Sequence, residues 1–256
     1  ILRLEPADLS LRGTLALAFG ARGKGGRHAA AAHYEPVQAV INLTKHAGAG
    51  SLAHEWFHAL DNSIPRAAGA IGEYATTGRS PATMAPHLRA PFHGVIRAIA
   101  ETDLAKRSLK LDCARSKPYW STPLEMAARS FEAWVVEKLA ECGVQNDYLA
   151  NFLDEATYEA QSKLMGTPEG RYPYPREDEL DKIGAAFNTL FNTPNLVNNG
   201  LTRKSAVQSD AAPRNTMDDS APRALQDVET QQEETKELQN PSDPIDDIIG
   251  DPEIWF

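Results

Sequence analysis

Five consecutive residues, His54-Glu55-Trp56-Phe57-His58, restrict what this chain can fold into more than any other feature. Side chains four apart stand on the same face of an α-helix, so this spacing lets His54 and His58 offer two imidazoles to one metal ion. Glu55 follows the first histidine directly, where its carboxylate can take a proton from a water that the metal activates. All three groups fall within about 1.5 helical turns.

The flanking residues agree with a helix. Gly48-Ala49-Gly50-Ser51 reads as a turn ending in a Ser N-cap. Leu52, Ala53, Trp56, Phe57 and Leu60 supply an apolar surface to bury. Upstream, Val40-Ile41-Asn42-Leu43-Thr44 reads as a strand. A strand that turns into a buried helix carrying HExxH is the layout expected of a zincin. The competing expectation is a core helix whose histidines are spaced by four without purpose.

Composition bounds the rest. The 256 residues are 42% hydrophobic, enough for one core of ordinary size. The opening Ile1-Leu2-Arg3-Leu4-Glu5 is charged and unlike a signal peptide, and no apolar run reaches bilayer length. Because Ile1 stands where a Met is expected, the chain is expected to be an excised or processed piece. Cys113 and Cys142 lack metal-site or redox spacing, so free thiols and a reducing cytoplasm are expected, with no membrane partner.

The net charge of −9 is unevenly spread. Residues 205–256 hold thirteen acidic and three basic side chains, which leaves residues 1–204 at about +1. The expected division is a folded domain over 1–204 and an acidic, disordered tail or linker over 205–256. The tail closes on the apolar cluster Ile248 to Phe256, expected to begin another module rather than to be a docking motif.

Along the body, Leu15 to Phe19 reads as a strand. Gly20 to Arg27 is a glycine-rich basic loop without the ending of a phosphate-binding loop. It is either a solvated turn or a contact for an anionic partner. His28 and His33 lack ligand spacing and are left out of the site. Asn62 to Pro91 reads as irregular. Helices are expected over Pro91–Arg107, from Pro123, over Asp147–Leu164 and from Glu177. The fold class is therefore α+β, a small N-terminal sheet packed on helices.

A catalytic zinc site needs a third protein ligand beside an open position. The best source is a helix opening with Thr122 as N-cap and Pro123 at its first turn. Glu125, Arg129 and Glu132 share one face of it. Glu125 is a candidate ligand. The spacing also allows a capping box with Thr122, or a solvated charge stripe with Arg129 and Glu132. Asp61 shares a face with the histidines and is the expected acceptor for a ligand imidazole. Tyr119 is a weaker candidate for stabilising an oxyanion, with packing against Trp120 as its alternative.

His54-Glu55-Trp56-Phe57-His58 followed by Glu125-Met126-Ala127-Ala128 resembles the gluzincin pattern of the anthrax lethal factor and Mlc titration factor metallopeptidase families. That resemblance implies Glu125 as third zinc ligand, with Glu132 at most an outer support. A closer resemblance, to the zincin-like domain of large polyvalent proteins of phages and conjugative elements, runs from Leu15 to Leu190. It is carried by Leu15-Ala16-Leu17-Ala18-Phe19 into Gly25, His33-Tyr34-Glu35-Pro36, Val40 to Thr44, Gly48 to Glu55, Tyr119 to Glu125, and Tyr174-Pro175. It implies a zinc metallopeptidase inside a multidomain protein that enters a recipient cell with DNA. His54, His58 and Glu125 would hold Zn2+, with Glu55 as base. A protein or peptide, the parent polyvalent protein included, would be the substrate. The donor set also suits other divalent ions. The alternative is a non-catalytic module of a DNA-transfer protein that keeps the fold and touches nucleic acid through Gly20 to Arg27. The near-neutral body and acidic tail weigh against broad phosphate binding.

Overall fold

A computed structural model of the chain describes residues 2, 4–20, 31–45, 47–77, 84–113, 115–194 and 196. Three four-residue strands form one sheet: β1 (Ala16–Phe19), β2 (Ala32–Glu35) and β3 (Val40–Leu43). The order is β1-β3-β2, with β1 parallel and β2 antiparallel to the central β3. Ile41 and Leu43 on β3 are buried, as is Tyr34, which pairs with Ile41 across β2. This face rests on the helices. β2 was not anticipated, because His33 and Glu35 dilute the apolar signal in a strand of four residues.

Around the sheet lie α1 (Pro6–Leu9), α2 (Leu52–Ala67), a 3-10 turn at Ala75–Thr77, α3 (Pro86–Ala100), α4 (Leu104–Asp112), α5 (Pro123–Glu141), α6 (Glu155–Leu164) and α7 (Glu177–Phe191). The class is α+β, as expected. The central helix is α2, in which Ala53 and every residue from Glu55 to Pro65 are buried. It packs against the sheet on one side and α5 on another. Trp56, Phe57, Phe131, Trp134, Phe187 and Phe191 form a continuous aromatic core between α2, α5 and α7. No helix among the described residues is long and apolar enough to cross a membrane. Cys113 and Cys142 are free thiols.

Several expected boundaries move, and each shift has a tertiary cause. α2 runs past Asn62 to Ala67, because the buried Asn62 finds distant partners. Its amide donates to the Ile71 and Glu73 carbonyls at 2.7 and 2.8 Å, and Tyr34 Oη donates to its carbonyl at 2.9 Å. The helix expected over 91–107 is two helices. Thr102 Oγ1 donates to the Ile99 carbonyl at 2.7 Å, and this side-chain competition closes α3 before α4 begins. α6 starts at Glu155, with Asp154 as a true N-cap accepting from Thr157 N at 2.9 Å. The segment before it serves α2 instead. Gly50 N donates to Tyr148 O at 3.0 Å, and Ala53 N to Leu149 O at 2.8 Å. Ser51 therefore does not cap α2 with its side chain. A carbonyl from residue 149 satisfies a free donor of the first turn instead. The basic loop beyond Gly20, together with His28 and the acidic stretch 205–256, lies outside the described residues.

Candidate metal centre

α2 and α5 bring His54, His58 and Glu125 into one cluster, the group among the described residues that could hold a metal ion. The two Nε2 atoms are 3.0 Å apart. Glu125 straddles the pair, Oε2 lying 3.3 Å from His54 Nε2 and Oε1 3.4 Å from His58 Nε2. Side-chain exposures of 15%, 9% and 11% leave this cluster a narrow opening to solvent.

The local sequence explains how Glu125 arrives there. Asp112, at the end of α4, accepts from Tyr119 N, Trp120 N and Ser121 N at 3.0, 3.1 and 2.8 Å and so shapes the turn before α5. Thr122 Oγ1 then accepts from Glu125 N at 3.3 Å, the N-cap expected of it. The Glu125 side chain does not return that bond, and turns to the histidines. The solvated-stripe expectation fails as well, since Glu125, Arg129 and Glu132 are all buried. Arg129 sits 4.9 Å over the Trp120 ring, donates to Pro173 O at 3.0 Å, and reaches Glu125 Oε2 at 3.9 Å.

Electrostatics inside the cluster are strongly coupled. Burial would hold His54 neutral, yet Glu125 and Glu132, with the charge of Glu55, push its pKa up to about 10. Burial alone would raise Glu125, but the charges and hydrogen bonds of His58 and His54 hold it well below the carboxylate range. Burial pushes Glu55 up, against the pull of His58 and His54. A buried carboxyl with a raised pKa suits a general base.

The donor set fits a divalent cation. Two imidazoles and a carboxylate leave one position of a tetrahedral site open. The two Nε2 atoms, 3.0 Å apart, and Glu125 Oε2, 3.3 Å from His54 Nε2, are spaced near the edge length, about 3.3 Å, of a tetrahedron built on bonds of about 2.0–2.1 Å. Glu125 Oε2 is buried and is met by His54 Nε2 at 3.3 Å and Arg129 at 3.9 Å, so its charge is compensated by the protein and is also placed to meet a metal ion.

One outer expectation, for Asp61, changes. Asp61 does not support a ligand imidazole. It accepts from Thr76 N at 2.9 Å and from Thr76 Oγ1 at 2.6 Å, tying the 3-10 turn to α2. Burial still pushes its pKa up to about 6. The carboxylate beside an imidazole is Glu132, whose Oε2 is 3.6 Å from His54 Nδ1. Tyr119 stands at the cluster, its hydroxyl held well above its ordinary pKa by burial and by the adjacent Glu125, while its ring meets Trp120 edge-on. Tyr74 was missed. Its ring lies 6.4 Å from that of His58, and burial and the charges of Asp61, Glu125 and Glu55 raise its pKa. Nothing in its local sequence marks it, because Asp61 and Asn62 hold its segment from a distance. His33 pairs with Glu35 at 3.3 Å and is not among the converging ligands.

Fold and site thus define an α+β domain with a His-His-Glu cluster between two helices. Residues 111–195 match the family model described as large polyvalent protein-associated domain 1. The matched stretch holds Tyr119, Glu125, Arg129 and Glu132, while the helix that carries His54 and His58 precedes it. No curated protein and no solved structure matches the chain.

Proposed function

We propose that this chain is a zinc-dependent peptidase of zincin type, working within a large polyvalent protein. The observation that carries this reading is the convergence of His54, His58 and Glu125 beside the buried Glu55. The small sheet lying against α2, and a third ligand delivered by a second helix, also support a zincin fold.

His54 Nε2, His58 Nε2 and Glu125 would hold the metal. When bound there, zinc supplies Lewis acidity that activates water and polarises a peptide carbonyl. Glu55 takes the proton from the attacking water and passes it to the leaving amine. Tyr119 remains protonated under the influence of burial and Glu125, so it can donate to the oxygen on which negative charge develops. The substrate is a protein segment, either in the parent polyvalent protein or in a host protein.

Glu55→Gln tests the reading. The zinc-loaded chain and the variant are each incubated with the parent protein and with a peptide library, and fragments are identified by mass spectrometry. Cleavage should fall by about 10²–10⁴-fold while zinc content is retained. Identical fragment patterns with both proteins would remove the peptidase assignment.

A further inference from the structure

We propose that Glu132 is a positioning residue for the metal centre, orienting His54 through Nδ1, and that a strap over Tyr172–Tyr174 holds Glu132 in place. The inference rests on the metal-binding reading above and adds to it the part of the chain that sets ligand geometry.

Glu132 lies two helical turns beyond Glu125 on α5, so both carboxylates project from one face toward α2. They meet opposite edges of the same imidazole. Glu125 Oε2 is 3.3 Å from His54 Nε2, and Glu132 Oε2 is 3.6 Å from His54 Nδ1. At ion-pair distance, Glu132 favours the tautomer with its hydrogen on Nδ1, which leaves the Nε2 lone pair for a metal. His58 has no equivalent, since its Nδ1 is buried without a hydrogen bond among the described residues. His54 is thus the oriented member of the pair.

A carboxylate only 3% exposed carries a large desolvation penalty, and it must be offset by defined partners. His54 is one. Tyr174 is another, a buried phenol that clusters with Ala133, the residue next to Glu132 on α5, and whose pKa is raised by burial and by the charge and hydrogen bond of Glu132. The backbone around Tyr174 is fastened by two buried arginines. Arg107 donates to the carbonyls of Tyr172 and Tyr174 at 3.0 and 2.9 Å, and Arg129 to that of Pro173 at 3.0 Å. Arg107 is itself fixed by Glu179 on α7 at 3.0 and 2.6 Å. Three consecutive carbonyls are therefore held by guanidinium groups from α4 and α5. The strap cannot shift without breaking bonds to both helices.

The test measures zinc affinity of the full chain by competition with a chromogenic chelator, for wild type, Glu132→Gln and Tyr174→Phe. Thermal melts of each metal-free protein are recorded alongside. Glu132→Gln should bind zinc about 10–100-fold more weakly, as expected when an outer carboxylate of a metal-bound histidine is lost. Tyr174→Phe should weaken binding in the same direction by less, and it serves if Glu132→Gln does not fold. A purely structural role would lower the melting temperature and leave affinity unchanged below the melt. That result in Glu132→Gln, or in Tyr174→Phe where it alone is folded, overturns the proposal. Wild type that binds no zinc overturns the metal-binding reading itself.

Discussion

The Nε2 atoms of His54 and His58 stand 3.0 Å apart, one helical turn from each other, with their rings edge to face. Two imidazole nitrogens at that distance cannot both present hydrogens to one another. At least one must offer a lone pair, and Glu125 adds carboxylate oxygens to the same spot. The cluster is thus arranged around a shared acceptor-rich point, and the packing of α2 on α5 maintains it.

Gly50 controls how the chain enters α2. Its φ is +90°, and a Cβ there would lie 2.8 Å from Asn151 Cβ and 3.2 Å from Asn151 N. Its own N–H and carbonyl bond to Tyr148 and Asn151, so the backbone cannot swing away. Gly50→Ala should destabilise the fold by more than the ~1–2 kcal/mol of left-handed strain alone. Urea denaturation checks this, and an unchanged midpoint would show that the turn relaxes freely.

Phe57 lies within the metal motif and is fully buried, its ring stacked 5.1 Å from Phe131 on α5 and edge-on to Phe187 on α7. It joins the helix of the histidines to the helix of Glu125. Phe57→Ala should cost about 3–5 kcal/mol of stability. A loss below about 1 kcal/mol, the size of an ordinary surface change, would mean that this contact does not fasten α2 to α5.

The Arg107–Glu179 pair predicts an acid dependence. Burial would raise Glu179, but the bonds and charge of Arg107 and the Arg176 N–H outweigh it and lower its pKa. A depressed folded pKa means that the stabilisation is present above the unfolded value, about 4.3, and is lost as pH falls through the folded value. Glu179→Gln should be destabilised by about 3–5 kcal/mol at neutral pH, because Arg107 is left buried without its partner. The gap to wild type should narrow as pH drops below about 4.3. Chemical denaturation across pH 3–7 reads this out, and a constant gap would contradict it.

What was legible in the sequence was local. The HExxH spacing, the Thr122-Pro123 start of α5 and the strand read over Val40 to Thr44 depend on neighbours in the chain; the first two appear as read, and the strand closes one residue earlier, at Leu43. What was not legible depends on distant partners. Ser51 looks like a cap, but Leu149 O does that work. Asp61 has helical spacing suited to a ligand support, yet Thr76 claims both its oxygens, and the carboxylate beside His54 comes from Glu132 on another helix. Asn62 looks like a breaker, and becomes a helical residue because Tyr34, Ile71 and Glu73 satisfy it. Tyr74 reaches the site on a segment with no periodicity to read.

The most direct measurement is the metal content of the purified, zinc-loaded chain by mass spectrometry, with His58→Ala and Glu125→Ala beside it. About one zinc per chain, the stoichiometry of a single three-ligand site, is expected in wild type, with its loss from both variants. Absence of metal from wild type after loading, or full retention in Glu125→Ala, would contradict the three-ligand centre.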